Sequence, residues 1–149
     1  MDLKSGAPTF GTAESSLATY AVGQMARRVR LPFRAGGHYT ASKVADAQAM
    51  QESVDSMYPA ILAGANFMHQ AAGWLEGGLV VGYEKFILDC DRLGMLHRMF
   101  EGLTIEENSL ATSAFKESAP GEYFLGTQNT AENFATANYR AEIPDHNSY

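Results

Sequence analysis

Short apolar runs alternate with long amphipathic segments along this chain, and this order limits its possible folds more than any other feature. The runs LPFRA (31–35) and NFMHQAA (66–72) have the length of strands and are bounded by proline or glycine. Apolar side chains recur at helical spacing over 12–29, 46–63 and 81–100. Strands that alternate with helices predict an α/β protein with parallel strands and crossover helices.

The last third of the chain gives weaker signals. A shorter helix is predicted over 106–117 and ends before the Pro120-Gly121 pair. The run YFLG (123–126) has the character of a strand end, and the spacing over 130–139 predicts a last helix.

The chain is short for a closed α/β architecture. It has 149 residues, whereas a barrel of eight βα units takes roughly 250. Parallel sheets are normally covered on both faces, and the few βα units present cannot close a barrel. The sequence therefore predicts either a small open sheet or part of a larger structure.

Charge and hydropathy exclude two classes of partner. The formal net charge is -6, and the basic residues are scattered apart from one group, so binding to a nucleic-acid backbone is not expected. That group consists of Arg27, Arg28, Arg30 and Arg34. The chain has no apolar run near the roughly 20 residues that span a bilayer, so no membrane role is expected.

The number and spacing of cysteines and histidines indicate which metal sites are possible and which cellular compartment the chain suits. The single cysteine, Cys90, excludes an internal disulfide and a thiolate metal cluster, and it fits a reducing, cytoplasmic setting. The N-terminus has neither the basic start nor the apolar core of a signal peptide. None of the four histidines has another at i+3 or i+4, so no metal site is predicted.

The segment AAGWLEGGLVVG (71–82) combines four glycines with Trp74 and Glu76. An interior glycine costs a regular element roughly 0.5–1 kcal/mol relative to alanine, so these glycines indicate bends or close approaches. The segment follows a predicted strand, where α/β folds place their ligands. A tryptophan face attracts quaternary ammonium groups by roughly 0.5–2 kcal/mol, and a carboxylate adds charge complementarity. The alternative is structural: Trp74 fills the rim of the sheet and Glu76 caps a helix.

Three histidines lie near the predicted strand ends or in a helix. His69, on a predicted strand, has the chemistry to bind a substrate carboxylate or donate a proton, but a histidine in an apolar run is more often a core residue. His38 follows the LPFRA strand on the same presumed ligand side. His97 stands late in the long helix, where a cation is favourable at the C-terminus.

Several stretches together resemble the trimethylamine methyltransferase family, whose members use a corrinoid and in archaea carry pyrrolysine. The segment AGWLEGGL followed by YEK is specific enough to carry the assignment. The supporting stretches are GAPTFGT (6–12), GQMARR (23–28), LPFRAGG (31–37), TASK with DAQA (40–49), YEKFILD (83–89) and FLGT (124–127).

The resemblance implies a fold and a reaction. The fold is the C-terminal portion of a TIM (β/α)8 barrel, incomplete in this chain, with residues 1–149 as one partial methyltransferase domain. The reaction moves a methyl group from a methylated amine to the Co(I) corrinoid of a partner protein. A partial barrel would expose sheet edges, so a homo-oligomer is also expected.

The resemblance also implies a set of site residues. Gly36 and Glu76 are the expected catalytic positions. Gly36 is included because the slot for pyrrolysine lies loosely within the Arg34–His38 stretch and holds a glycine. The expected substrate-binding residues are His38, His69, Trp74, Tyr83 and Tyr123. A glycine-type slot resembles the branch that demethylates quaternary amines such as glycine betaine. The chain reads PGEYFLG where the family has PGGHFLG, so Tyr123 and also Asn129 stand where histidines are usual.

Two classes of function follow from these observations. The first is a corrinoid-linked methyltransferase, or a part of one, acting on a methylated and by expectation quaternary amine. The second is a non-catalytic binding module or truncated fragment that retains only the fold.

Overall fold

A computed structural model describes residues 1–148. The chain divides into two compact units, Met1–Asp91 and Arg92–Tyr149. Helices and strands are mixed in the first unit, whereas the assigned elements of the second are helical. This mixture is consistent with an α/β protein.

The first unit is built around one βαβ arrangement and one hairpin. Strands β1 and β2 pair in parallel, with Gly36 opposite His69, and helix α2 connects them. Strands β3 and β4 form an antiparallel hairpin. The elements are α1 (Ala13–Val29), β1 (Arg34–Gly36), α2 (Ala47–Leu62), β2 (Phe67–His69), β3 (Trp74–Leu75), β4 (Val80–Val81) and the start of α3 (Tyr83–Glu101).

The first two helices begin at side-chain caps. The Thr12 hydroxyl accepts a hydrogen bond from the backbone N–H of Ser15, and the Asp46 carboxylate accepts one from Ala49. Helix α1 ends at Arg30 in the left-handed conformation, and α2 runs through Pro59 to Leu62. The two helices pack on each other. The buried apolar residues of the first unit include Phe33, Ala49, Met57, Ala60, Ala63 and Leu75.

Both predicted strands are shorter than their apolar runs. Strand β1 begins only at Arg34 because the backbone of Phe33 is bonded to Asn66: its N–H donates to Asn66 Oδ1 at 2.8 Å. Strand β2 stops at His69 because Gln70 turns the backbone into the left-handed region, with φ 52°. Trp74 therefore opens a hairpin strand rather than following β2 directly, and α3 begins at Tyr83 rather than Val81.

The first half of helix α3 buries polar side chains in place of its apolar ones, whereas Leu96 further along the helix is buried as expected. Phe86 and Ile87 in the stripe are 45% and 57% exposed, whereas Lys85 and Asp89 are fully buried. In the described part of the chain, no helix combines the length and the apolar character needed to cross a membrane.

The second unit corrects three predictions. The helix expected over 106–117 is split into α4 (Glu107–Leu110) and α5 (Ala114–Glu117) because Ala111 adopts a left-handed conformation with φ 50°. The run YFLG forms a 3-10 turn, Phe124–Gly126, and not a strand end. The last helix, α6, spans Gln128–Asn133, since the Thr127 hydroxyl caps it several residues before the predicted start.

Candidate functional site

The loop that follows β1, residues 37–46, is fixed at its start and in its middle. The Gly37 N–H donates to the carbonyl of His69 at 2.9 Å, which ties the loop to the end of β2. The Glu52 carboxylate of α2 accepts from the Thr40 hydroxyl and from the Ala41 N–H, both at 2.7 Å. The loop at the C-terminal end of β1 is therefore held rigidly in place.

Glu52 gives this anchorage a pH dependence. Burial acts to raise the pKa of its carboxyl, but hydrogen bonds from Thr40, Ala41 and Gln48 outweigh burial and hold the pKa below its ordinary 4.5. A carboxyl with a lowered pKa stabilises the fold above its unfolded value and loses that contribution as pH falls through the folded value.

We therefore expect the free energy of unfolding to decrease as the pH falls below about 4.5, in part because Glu52 takes up a proton. The variant Glu52→Gln should lose roughly 1 kcal/mol at neutral pH, since a half-buried charged hydrogen-bond acceptor becomes neutral. Its stability should also depend less on pH between 3 and 5 than that of the wild type, as urea unfolding at several pH values would measure. Identical pH profiles for the two proteins would contradict this role of Glu52.

The turn that contains Glu76 is bonded to the same loop. The Glu76 N–H donates to the carbonyl of Ser42, and the Gly77 N–H donates to the carbonyl of Thr40, both at 2.8 Å. Glu76 is held in the left-handed region, with φ 51°, a conformation that costs a non-glycine residue roughly 1–2 kcal/mol. These bonds bring the hairpin of Trp74 and Glu76 against the loop that carries His38.

A buried ionic cluster lies between these two segments. The Asp89 Oδ2 atom accepts hydrogen bonds from the Gly73 N–H at 2.8 Å and from Lys85 Nζ at 2.5 Å. Its Oδ1 atom lies 3.5 Å from His38 Nδ1, and Lys85 Nζ is also 3.5 Å from the carbonyl of His38. The side chains of His38, Lys85 and Asp89 are all fully buried.

Burial dominates the titration of the charged pair. It raises the pKa of the Asp89 carboxyl, against the opposing effects of Lys85 and of the Gly73 N–H. It lowers the pKa of the Lys85 ammonium, against the attraction of Asp89. Both shifts have the same cause, because removal from water disfavours either charged form.

Gly36 faces a ring that fills the space beside it. A Cβ atom at Gly36 would overlap Cε2 of Tyr39, so a side chain there would collide with the Tyr39 ring. Tyr39 stacks on Phe10 with 4.1 Å between ring centroids, and its hydroxyl donates to Gln70 Oε1. Burial raises the pKa of the Tyr39 hydroxyl, which Arg34 partly opposes.

A cavity of about 570 Å³ lies alongside β1 and α1. This volume is within the range of about 300–1,000 Å³ found for small-molecule sites. Of the predicted site residues, its lining includes Gly36. The lining also contains Pro8, Phe10, Glu14, Val22, Phe33 and Arg34.

The structure brings most of the predicted site residues into one unit. Gly36 and His69 are register partners at the ends of parallel strands, and His38 and the Trp74–Glu76 hairpin join them through the contacts above. Tyr83 lies in the same unit but is 90% exposed at the start of α3. Tyr123 lies in the second unit and is 86% exposed.

Sequence reasoning missed Lys85, Asp89 and Glu52. The only signal was the i, i+4 spacing of Lys85 and Asp89 within YEKFILD, and on a helix such a spacing normally indicates a solvated ion pair. Among residues 1–148, no group of three or more His, Cys, Asp or Glu side chains is arranged to hold a metal ion.

These observations define an α/β protein whose candidate site lies in the loops that follow parallel strands. Comparison with known proteins narrows the class, since residues 1–149 match the family described as Trimethylamine methyltransferase (MTTB). The chain belongs to that family.

Curated relatives agree with this assignment. The chain is 35% identical over 148 residues to a glycine betaine methyltransferase of Desulfitobacterium hafniense, covering 99% of this chain and 31% of the relative. It is 32% identical over 132 residues to a trimethylamine methyltransferase of Methanosarcina thermophila, covering 88% of this chain and 27% of the relative. The chain thus spans about a third or less of the length of these relatives.

Proposed function

We propose that this chain is the C-terminal portion of a corrinoid-dependent methyltransferase that takes a methyl group from a quaternary amine. The observation that carries the proposal is the family match across the whole chain, together with the similarity to a glycine betaine methyltransferase. Trimethylamine methyltransferases are among the other relatives, so a methylated amine is the substrate class common to both names.

We propose that the chain contributes βα units to a TIM barrel as one partial domain. The β1–α2–β2 arrangement supports this, because parallel strands joined by a helix are the repeating unit of such a barrel. So do the exposed apolar side chains of α1, among them Leu17 and Met25, each 67% exposed. A chain with these free edges and faces is expected to be covered by further βα units or by self-association.

The corrinoid in this proposal belongs to a partner protein. The tasks proposed for this chain are to bind and orient the amine. When the partner protein is docked on the enzyme, its Co(I) corrinoid would supply the nucleophile that attacks the N-methyl carbon. A quaternary nitrogen would then leave as a neutral amine, whereas a tertiary amine needs prior activation, and the proposed slot for pyrrolysine, Arg34–His38, holds none.

Each residue of the candidate site has a separate proposed role in binding the amine. The Trp74 face attracts the quaternary ammonium group, and the Glu76 carboxylate adds an opposite charge. The strain at Glu76 supports a functional position, since such backbone conformations cluster at active sites. His69, which is partly exposed at the end of β2, is proposed to bind the acid end of a betaine, and Tyr83 to contribute to the pocket in the assembled enzyme. His38 is fully buried beside Asp89, so its proposed part is to hold the loop after β1 and not to touch the amine.

Methyl transfer with the assembled enzyme tests the proposal. The protein that contains this chain is supplied with a reduced corrinoid protein, and the loss of Co(I) absorbance is followed with glycine betaine, other quaternary amines or trimethylamine. Reaction with a quaternary amine supports the proposal. If trimethylamine reacts and no quaternary amine does, the leaving-group argument is wrong. If none reacts, the alternative of a non-catalytic module is favoured.

Replacing Trp74 with leucine tests the role of the indole. Leucine keeps apolar bulk but removes the ring face, so the affinity for a quaternary amine should fall by up to about tenfold, equivalent to roughly 1.4 kcal/mol. Isothermal titration with glycine betaine and with tetramethylammonium measures this loss, and circular dichroism checks that the variant is folded. Unchanged affinity in a folded variant would return Trp74 to a structural role.

A further inference from the structure

We propose that the buried Lys85–Asp89 pair positions the candidate site, by holding the His38 loop and the Trp74 turn in one fixed arrangement. Neither residue would touch the substrate. The inference rests on the proposed function only in what it says about amine binding.

The contacts of the pair reach both segments at once. Asp89 binds the Gly73 N–H with one carboxylate oxygen, and its other oxygen faces His38 Nδ1. Lys85 bonds to Asp89 and lies within 3.5 Å of the His38 carbonyl. One turn of α3 therefore connects the loop after β1 with the turn after β2.

The contact at Gly73 sets the direction in which the chain enters the hairpin. Gly73 is buried with φ 85°, directly before Trp74, and its carbonyl accepts the Gly82 N–H at 3.0 Å. With its N–H bound to Asp89 and its carbonyl bound across the hairpin, the peptide before Trp74 has little freedom to rotate. The orientation of the indole thus depends on Asp89.

Stability alone gives a poor account of this pair. Two ions lose their hydration when they are buried, and well-packed apolar residues of similar volume are often as stabilising or more so. Lys85 and Asp89 are both fully buried. An apolar pair would fill the same space, but it would offer no acceptor to Gly73 and no charge to His38.

The double variant Lys85→Met/Asp89→Leu separates positioning from stability. It fills the space with apolar groups and removes every polar contact of the pair. Trp74 is the only tryptophan of the chain, so intrinsic fluorescence reports on this residue alone. The measurements are the thermal midpoint, the Trp74 emission maximum and the hydrogen-exchange rate of the Gly73 amide.

We expect a folded protein with a thermal midpoint close to that of the wild type. The Trp74 emission should shift to the red, and the Gly73 amide should exchange at least about tenfold faster, because its acceptor is gone. The matched control is Arg98→Met/Glu101→Leu, the same replacement at an exposed ion pair on the same helix. It should leave both signals unchanged.

A folded double variant with wild-type emission and exchange overturns the inference. If it does not fold, Lys85→Met/Asp89→Ala takes its place, since it relieves overpacking by leucine and still removes both charges and the acceptor of the Gly73 N–H. Loss of folding in both variants also overturns the inference, because the pair would then serve the fold and not the site.

Amine binding is measured separately, by titration with tetramethylammonium chloride. The double variant should bind it about tenfold more weakly than the wild type. If the wild type does not bind it, the proposed role of Trp74 in amine binding is wrong. The emission and exchange measurements need no ligand, so they still decide whether Lys85 and Asp89 position the turn.

Discussion

Replacing Asp89 with alanine is expected to lower the free energy of unfolding by about 3–5 kcal/mol, the usual cost of removing one partner of a buried ion pair. Lys85 would then be fully buried with no carboxylate beside it, so it must either keep an uncompensated charge or give up its proton. The Gly73 N–H would lose its acceptor as well. Since domains are stable by only about 5–15 kcal/mol, this is a large fraction of the total.

Urea unfolding followed by circular dichroism measures this loss. The control is Glu101→Ala, which breaks the exposed pair with Arg98 on the same helix and should cost no more than about 1 kcal/mol. The double variant Lys85→Met/Asp89→Leu should recover most of the loss, because it removes both charges together. Equal effects of Asp89→Ala and Glu101→Ala would contradict the burial of the cluster.

The long helices were predictable because their signals are local. Thr12 and Asp46 cap the segments whose apolar periodicity indicates α1 and α2, and both helices lie within two residues of the predicted bounds. The 106–117 segment was predicted wrongly as one helix because its break depends on a single left-handed residue, Ala111. Nothing in the type of residue at 111 indicates that conformation, since alanine favours helices.

The sequence pointed to residues at the rim of the candidate site but not to those in its interior. Gly36 and His69 stand at strand ends and His38 just after one, where the order of strands and helices directs attention, whereas Trp74 opens a hairpin strand. Lys85 and Asp89 could not be found in the same way, because a charged pair at helical spacing is normally solvated. Their burial is decided by the segments packed against α3, and that is a tertiary property.

Local sequence patterns could not predict the hairpin that Trp74 opens. Its strands are two residues long, and the bonds that fix its turn come from the carbonyls of Thr40 and Ser42, more than thirty residues earlier in the sequence. The glycines predicted a bend or a close approach. They did not predict which segment approaches.

Replacing Gly37 with alanine is expected to lower the free energy of unfolding by about 1–3 kcal/mol, the range for overpacking a filled interior. The added Cβ would lie 2.7 Å from Cα of Ala71 and 2.8 Å from Cε of Met57. The end of the Met57 side chain can move, but the Cα atom of Ala71 belongs to the backbone and cannot move alone. The hydrogen bond from the Gly37 N–H to the His69 carbonyl also holds the two segments together.

Two measurements on Gly37→Ala show why a glycine is needed at this point. Urea unfolding gives the loss of stability, and Gly126→Ala is the control, because a Cβ at Gly126 meets no atom within 4 Å and should change stability by less than about 0.5 kcal/mol. Titration with tetramethylammonium gives the effect on the site. Relief of the clash must separate the loop of His38 from the segment that leads to Trp74, so affinity should fall together with stability. A variant as stable as the wild type would show that the two segments are not in close contact, and the bonds that connect them to Asp89 would then need a different geometry.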